Sequence, residues 1–198
     1  MTDRVADRVT DRVTDRVTEQ GRRERRKADT RRALEDAALR RFARDGYDAT
    51  TVDAVAADAG VSARTFFRYF ATKDEVLDMG RAERQARLRA AVAGAPGRGL
   101  AVVATAVATL AEGFADDRER VALRQRAAAS SPVLRGRLLD TFTSWERALA
   151  TALAARGEPD AEVLAAVGIA VFRTAIGSWV REGGSLAALV GAGFDALS

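Results

Sequence analysis

The sequence predicts an all-α protein: an N-terminal three-helix unit holding a helix-turn-helix, then a larger helical bundle, about nine helices in total. Three observations lead there. Alanine and arginine are the commonest residues and only 3 prolines interrupt 198 positions, a balance that favours helices. Apolar residues recur at spacings of three and four, the period of one helix face. No run of alternating apolar and polar residues marks a strand. The length suits one large domain or two small ones with a real core.

The chain begins with a tandem tetrapeptide, Asp3-Arg-Val-Ala followed by three copies of Asp-Arg-Val-Thr from Asp7, Asp11 and Asp15. Valines every four residues drift around a helix of 3.6 residues per turn, so they form no seam. Residues 1–28 are therefore expected to be a low-complexity, basic and disordered arm. Charge concentrates where the repeat ends. Between Arg22 and Arg44 ten basic residues face four acidic ones, an excess of six in a chain whose net charge is +4. Such a patch suits a polyanion; read alone, a charge run fits a solvated helix face better.

From Thr30 the pattern is helical, with Leu34, Ala38 and Phe42 in one stripe and Gly46 as a left-handed stop. A second helix starts at Thr50 or Thr51 and ends near Gly60. A third runs from Ser62 to about Phe70. Thr72-Lys-Asp-Glu75 has the form of a capping box that opens a fourth. Beyond it, breakers at 95–99, 116–117, 130–132, 157–159 and 183–184 divide the chain into five or six further helices. Pro132 and Pro159 each stand where a first helical turn tolerates proline. The domains expected are 1–28, the arm; 29–75, the helix-turn-helix unit; and 76–198, a larger helical bundle.

Several functions are excluded by composition. The chain has no cysteine and no histidine, which removes disulfides, zinc sites of the Cys/His kind, thiol nucleophiles and Ser-His-Asp chemistry. Lys27 and Lys73 are the only lysines. No enzyme, metal or resident cofactor is expected. No apolar run reaches the roughly 20 residues that span a bilayer, and the charged N-terminus is no signal-peptide core; no membrane partner and a cytoplasmic location follow as expectations.

Residues 51–70 carry the chemistry. Ala56 is small enough for two helices to approach, and Gly60, four positions later, accepts positive φ. Val61 plugs the turn, and Ser62 can cap the following helix. Phe66 and Phe70 would point inward, leaving Ala63, Arg64, Phe67 and Arg68 outward, as a helix reading the DNA major groove requires. A helical hairpin inside an ordinary bundle shares this spacing. A helical adaptor that uses its basic segment on protein or membrane surfaces is the rival from another class.

The stretch Gly46-Tyr-Asp-Ala-Thr-Thr-Val-Asp-Ala-Val-Ala-Ala-Asp-Ala-Gly-Val-Ser-Ala-Arg-Thr-Phe-Phe-Arg-Tyr-Phe70, with Ala71-Thr-Lys-Asp-Glu-Val-Leu77 after it, strongly resembles the N-terminal domain of TetR-family regulators, over about residues 30–77. The resemblance implies a double-stranded DNA operator as partner, with Ala63, Arg64 and Phe67 facing bases. It implies phosphate contacts from Thr51, Thr65, Arg68, Tyr69 and Lys73. Arg22, Arg23, Arg25, Arg26 and Lys27 form an arm toward the adjacent minor groove or backbone. One departure stands out: the tyrosine common in the family's recognition helix is Phe67 here, which lacks the hydroxyl.

The resemblance further implies a ligand-relieved repressor acting as a homodimer through its last two helices, with a small-molecule effector bound among the middle ones. Val163, Val167, Val171, Ile176, Trp179, Leu186, Leu189, Val190 and Phe194 are available for that dimer face. Gly168, Ala175, Gly177, Ala187 and Gly191 permit close approach. All of these serve a monomer core equally well. For a pocket the candidates are Phe114, Arg124, Phe142, Trp145, Phe172 and Arg173. Aromatic residues at helical spacing are more often core, but Arg173 in an apolar helix, if buried, requires an anionic partner. The Arg64–Phe70 helix and Leu123-Arg-Gln-Arg126 are similar to a subgroup that senses acyl-CoA-like molecules.

Overall fold

The computed structural model describes residues 3–78 and 80–197, with the backbone alone for residues 3–18. Among the described residues there are nine α-helices and no strand: α1 (Asp3–Asp45), α2 (Val52–Asp58), α3 (Ala63–Tyr69), α4 (Arg81–Gly94), α5 (Leu100–Glu112), α6 (Arg118–Ser130), α7 (Pro132–Ala155), α8 (Ala161–Glu182) and α9 (Leu186–Asp195). The expected all-α architecture is what the chain forms.

The arm departs from expectation. Instead of standing apart, its residues from Asp3 on are the first part of the 43-residue α1, and the first two lie outside the described residues. Arg22 to Lys27 are good helix formers, and Arg23 reaches Glu19 one turn back at 2.7 Å. With no proline before Asp45, the helix that starts in the repeat runs on through Gly21 into the domain.

Two cores organise the molecule. The first gathers Leu34, Ala38, Phe42, Val55, Ala56, Phe66 and Phe70 from α1–α3 and closes with Val76 and Leu77. Ala127 of α6 and Leu134 of α7 also enter it, so the bundle supplies part of the helix-turn-helix domain's floor. The second core lies among α4–α9, around Phe114, Trp145, Phe172 and Trp179. The fourth helix does not open at Thr72. Residues Lys73–Leu77 form a short 3-10 helix, and Thr72 makes no side-chain cap. The Glu75 carboxylate accepts from the Ala71 amide at 2.7 Å, so the acidic end of the capping box serves that short turn instead. α4 begins only after Gly80, at φ 65°.

Proline behaves as expected at Pro132, the first residue of α7, where Ser131 caps the Leu134 amide. Pro159 does not: it lies in the turn before Ala161, because Asp160 takes φ 54° and delays the helix.

The reading that no apolar run reaches bilayer length is corrected by α8. It is 22 residues long with an 18-residue window of mean hydropathy 1.8, enough to cross a membrane by length and composition. The run is apolar because it has two apolar faces. Ala165, Ile169, Phe172 and Ile176 enter the core, while Val167, Ala170 and Val171 line an outer groove. Gly168 also serves the monomer: a Cβ there would come within 2.5 Å of Val103 Cγ1, so the glycine lets α8 approach α5.

Candidate nucleic-acid interface

The helix-turn-helix is built from its small residues upward. Gly60 takes φ 69°, and the Val61 amide returns to Ala56 O at 2.9 Å. Ala56, 1% exposed, sits at the crossing of α2 and α3. Thr51 caps α2 through the Ala54 amide, and Ser62 caps α3 through the Thr65 amide. Phe66 and Phe70 are buried with their rings 5.3 Å apart. This anchors the inner side of α3 and leaves Arg64, Phe67 and Arg68 on the outer one. Phe67 is 56% exposed, an uncompensated cost for a phenyl ring unless a partner covers it.

The frame is held from α1 and from the 3-10 turn. Arg41 makes a two-pronged bond to Asp58, at 2.6 and 2.8 Å, tying α1 to the end of α2. The Lys73 ammonium donates to Tyr47 O at 2.6 Å and Thr50 O at 2.8 Å, and lies 4.1 Å from the Tyr47 ring centre. Tyr47 OH in turn donates to Asp74, which also pairs with Arg137 of α7. Burial, reinforced by the Asp74 charge, pushes the Tyr47 phenol up to about 12. Burial works most strongly against the Asp74 carboxylate, but hydrogen bonds from Arg137, its own backbone and Thr72, with the Arg137 charge, together hold the group below its ordinary value.

The expected DNA residues fall into distinct places. Ala63 is half-buried and Arg64 exposed at the start of α3. Thr51 and Thr65 stand at the two caps, where the Thr65 hydroxyl shares a hydrogen bond with Ser62. Arg23, Arg26, Lys27 and Thr30 of α1 meet Arg68 and Tyr69 of α3 around a cleft of about 550 Å³. Arg22 and Arg25 are exposed and lie outside it. Lys73 points into the domain's own backbone, two of its three protons already committed. Thr30 is a cleft residue that the sequence motif does not flag, although it follows Arg26 by one helical turn.

Of the expected ligand-pocket residues, Phe142 and Arg173 border a shallow groove. Phe114, Phe142, Trp145 and Phe172 pack on one another at ring distances of 5.6–6.0 Å. They are core, the alternative that helical spacing favours. Arg173 is exposed, its guanidinium 5.5 Å from the Phe142 ring. The reading of it as a buried cation is wrong, because α8 turns its position outward, beside Arg135 and Gln125 in a shallow groove of about 270 Å³. Arg124 is the buried arginine, 3% exposed.

Residues 34–78 match the family described as bacterial regulatory proteins, tetR family. A relative named as the putative mycofactocin biosynthesis transcriptional regulator MftR of Mycobacterium tuberculosis is 27% identical over 87% of this chain and 91% of its own. Residues 34–78 are therefore a TetR-type DNA-binding domain. The transcriptional regulator TcmR of Streptomyces glaucescens is 46% identical over 56 residues, 28% of this chain and 25% of that protein. Among solved structures, FadR of Bacillus subtilis, determined in complex with stearoyl-CoA, superposes with TM-score 0.62 at 20% identity, covering 83% of this chain and 96% of that one. FadR of Bacillus halodurans gives TM-score 0.62 at 21% identity, with 85% and 94% covered. These likenesses extend the TetR fold from the helix-turn-helix through the bundle. The chain is a transcriptional regulator with a TetR-type DNA-binding domain.

Proposed function

We propose that this regulator is a ligand-responsive repressor that binds a palindromic operator in double-stranded DNA as a homodimer, and not an enzyme. The observation that carries the reading is α3, locked by Phe66 and Phe70 and presenting Arg64, Phe67 and Arg68 to solvent. Arg64 is suited to fork onto guanine O6 and N7, worth about 1–3 kcal/mol of discrimination. Ala63 and Phe67 fit beside a thymine methyl. Thr51, Thr65, Arg68 and Tyr69 fit phosphates that set register, with Arg23, Arg26 and Lys27 behind them on the same cleft. Lys73 acts mainly by holding the turn.

One α3 reads a short site, so two reading heads are required for a specific operator. A groove of about 420 Å³ along α8 and α9, lined by Val167, Ala170, Val171, Thr174, Leu189 and Leu197, leaves apolar surface uncovered. A second copy of the same face would cover it. The effector is a small molecule taken up by the bundle, and no resident cofactor is needed. The stearoyl-CoA of one structural neighbour and the lauroyl-CoA of Thermus thermophilus FadR make acyl-CoA-like molecules the class to try first. A DNA-reading protein of this kind works in the bacterial cytoplasm.

Selection of binding sites from random duplex DNA tests the reading. Enrichment of a near-palindrome is expected; salt-sensitive retention without enrichment would leave a nonspecific polyanion binder.

A further inference from the structure

Nitrogen donors lie buried in the bundle without acceptors. Arg124 of α6 is 3% exposed, and its Nε meets no acceptor. Its nearest anion is Glu35 of α1, 3.7 Å from a terminal nitrogen. That carboxylate already accepts from Arg120 at 2.6 Å and Arg31 at 3.1 Å. Arg84 of α4 lies over Phe114, 3.8 Å from the ring centre. Its Nε is also buried without an acceptor, and Asp117 stands 3.6 Å from its terminal nitrogen. The Trp145 indole, 6.0 Å from the same Phe114 ring, holds a third unpaired buried donor, Nε1.

Charge is short as well. Five guanidinium groups, of Arg31, Arg32, Arg84, Arg120 and Arg124, share three carboxylates, Glu35, Asp36 and Asp117. Burial pushes Arg124 down to about 10, so it remains a cation at neutral pH with its desolvation only partly offset by Glu35. Buried guanidinium groups in this state are matched by planar or tetrahedral oxyanions, which accept two parallel N–H bonds.

We propose that Arg84 and Arg124 receive the oxyanion head of an apolar small molecule whose body displaces part of the aromatic packing at Phe114 and Trp145. Filling this site draws Arg124 from Glu35 and Arg84 from Asp117, and so loosens the ion-pair network between α1 and α6. The inference rests on the bundle being an effector domain and narrows the effector to molecules carrying an oxyanion next to an apolar chain.

Calorimetric titration of the full chain without DNA tests the site, using sodium octanoate, octyl phosphate and octanoyl-CoA, with 1-octanol as the uncharged twin. At least one charged probe is expected to bind tenfold or more tightly than octanol, and which one it is identifies the oxyanion. Arg124→Gln and Arg84→Gln should each weaken that binding at least tenfold. Glu35→Gln, which removes the competing carboxylate, should tighten it several-fold, a result that a purely structural Arg124 would not give. Equal binding of octanol, or no charged probe binding at millimolar concentration, overturns the proposal. So does unchanged affinity in an Arg variant that keeps its helical circular dichroism. DNA retention is read separately. Release of selected DNA by the bound probe supports the network's loosening, whereas binding without release overturns that step and leaves the site.

Discussion

Arg120 of α6 and Glu35 of α1 meet at 2.6 Å, and the same guanidinium reaches Asp36 at 2.7 Å. Through this one side chain the bundle grips the helix that carries the DNA-binding domain. Arg120 is mostly shielded from solvent, so the pairing is stronger than a surface one. It also crosses 85 residues of sequence, and nothing local in either segment requires it.

Arg120→Ala should therefore destabilise the chain by about 2 kcal/mol, the worth of a charged hydrogen bond in a partly buried site. Urea denaturation of Arg120→Ala, Glu35→Gln and the double variant will show it. A double variant equal to the sum of the singles would mean that the two residues do not couple.

Lys73 and Arg64 should separate cleanly. Lys73→Ala removes two bonds to the Tyr47 and Thr50 carbonyls and should lower Tm without any DNA present, at about 1.5–3 kcal/mol. Arg64→Ala, at an exposed position, should leave Tm unchanged and relax base preference at one operator position. Thermal denaturation and competition binding decide; an unchanged Tm for Lys73→Ala would return that residue to a simple phosphate-binding role.

The cleft between α1 and α3 sets the salt dependence. Arg26→Ala and Arg68→Ala should each reduce the slope of log affinity against log salt by about 0.9 for every phosphate the removed guanidinium had neutralised. Arg22→Ala, outside the cleft, should change it less. Titrations at three or more salt concentrations measure this, and equal slopes for all three would remove the cleft's special role.

The dimer proposal predicts that Ala170→Glu yields a monomer. Ala170 is exposed on the single chain, so the monomer's helicity should survive while light scattering halves the mass. A dimer that persists would place the interface elsewhere.

Stability should fall at both ends of the pH scale through one pair of residues. The Asp74 carboxylate is held below its ordinary value, so its contribution is present above the unfolded value and lost as pH falls through the folded one. Tyr47 titrates at about 12 instead of 10, so its contribution is full below pH 10 and lost between about 10 and 12. Asp74→Asn should flatten the acid limb of a stability–pH curve and Tyr47→Phe the alkaline limb; an unaltered profile in both would remove the pair from the balance.

What the sequence determined by itself is local. Gly46, Gly60, Ser62 and the Phe66–Phe70 spacing act within one or two turns, and the stops and caps they imply are where they were read. The helix count and the outward side of α3 followed from the same short-range periodicity. What only the tertiary structure decided depends on which helices meet. Arg124 and Arg173 look alike in sequence, each in a helix with apolar neighbours. Packing of α6 on α1 buries the first, while the rotation of α8 against α5 and α7 exposes the second. Placing Arg23 and Arg26 on one cleft with Arg68 required α1 to continue as helix past the domain edge. The aromatic residues became core because α7, α8 and the turn after α5 bring their rings together, a convergence that no single helix face encodes.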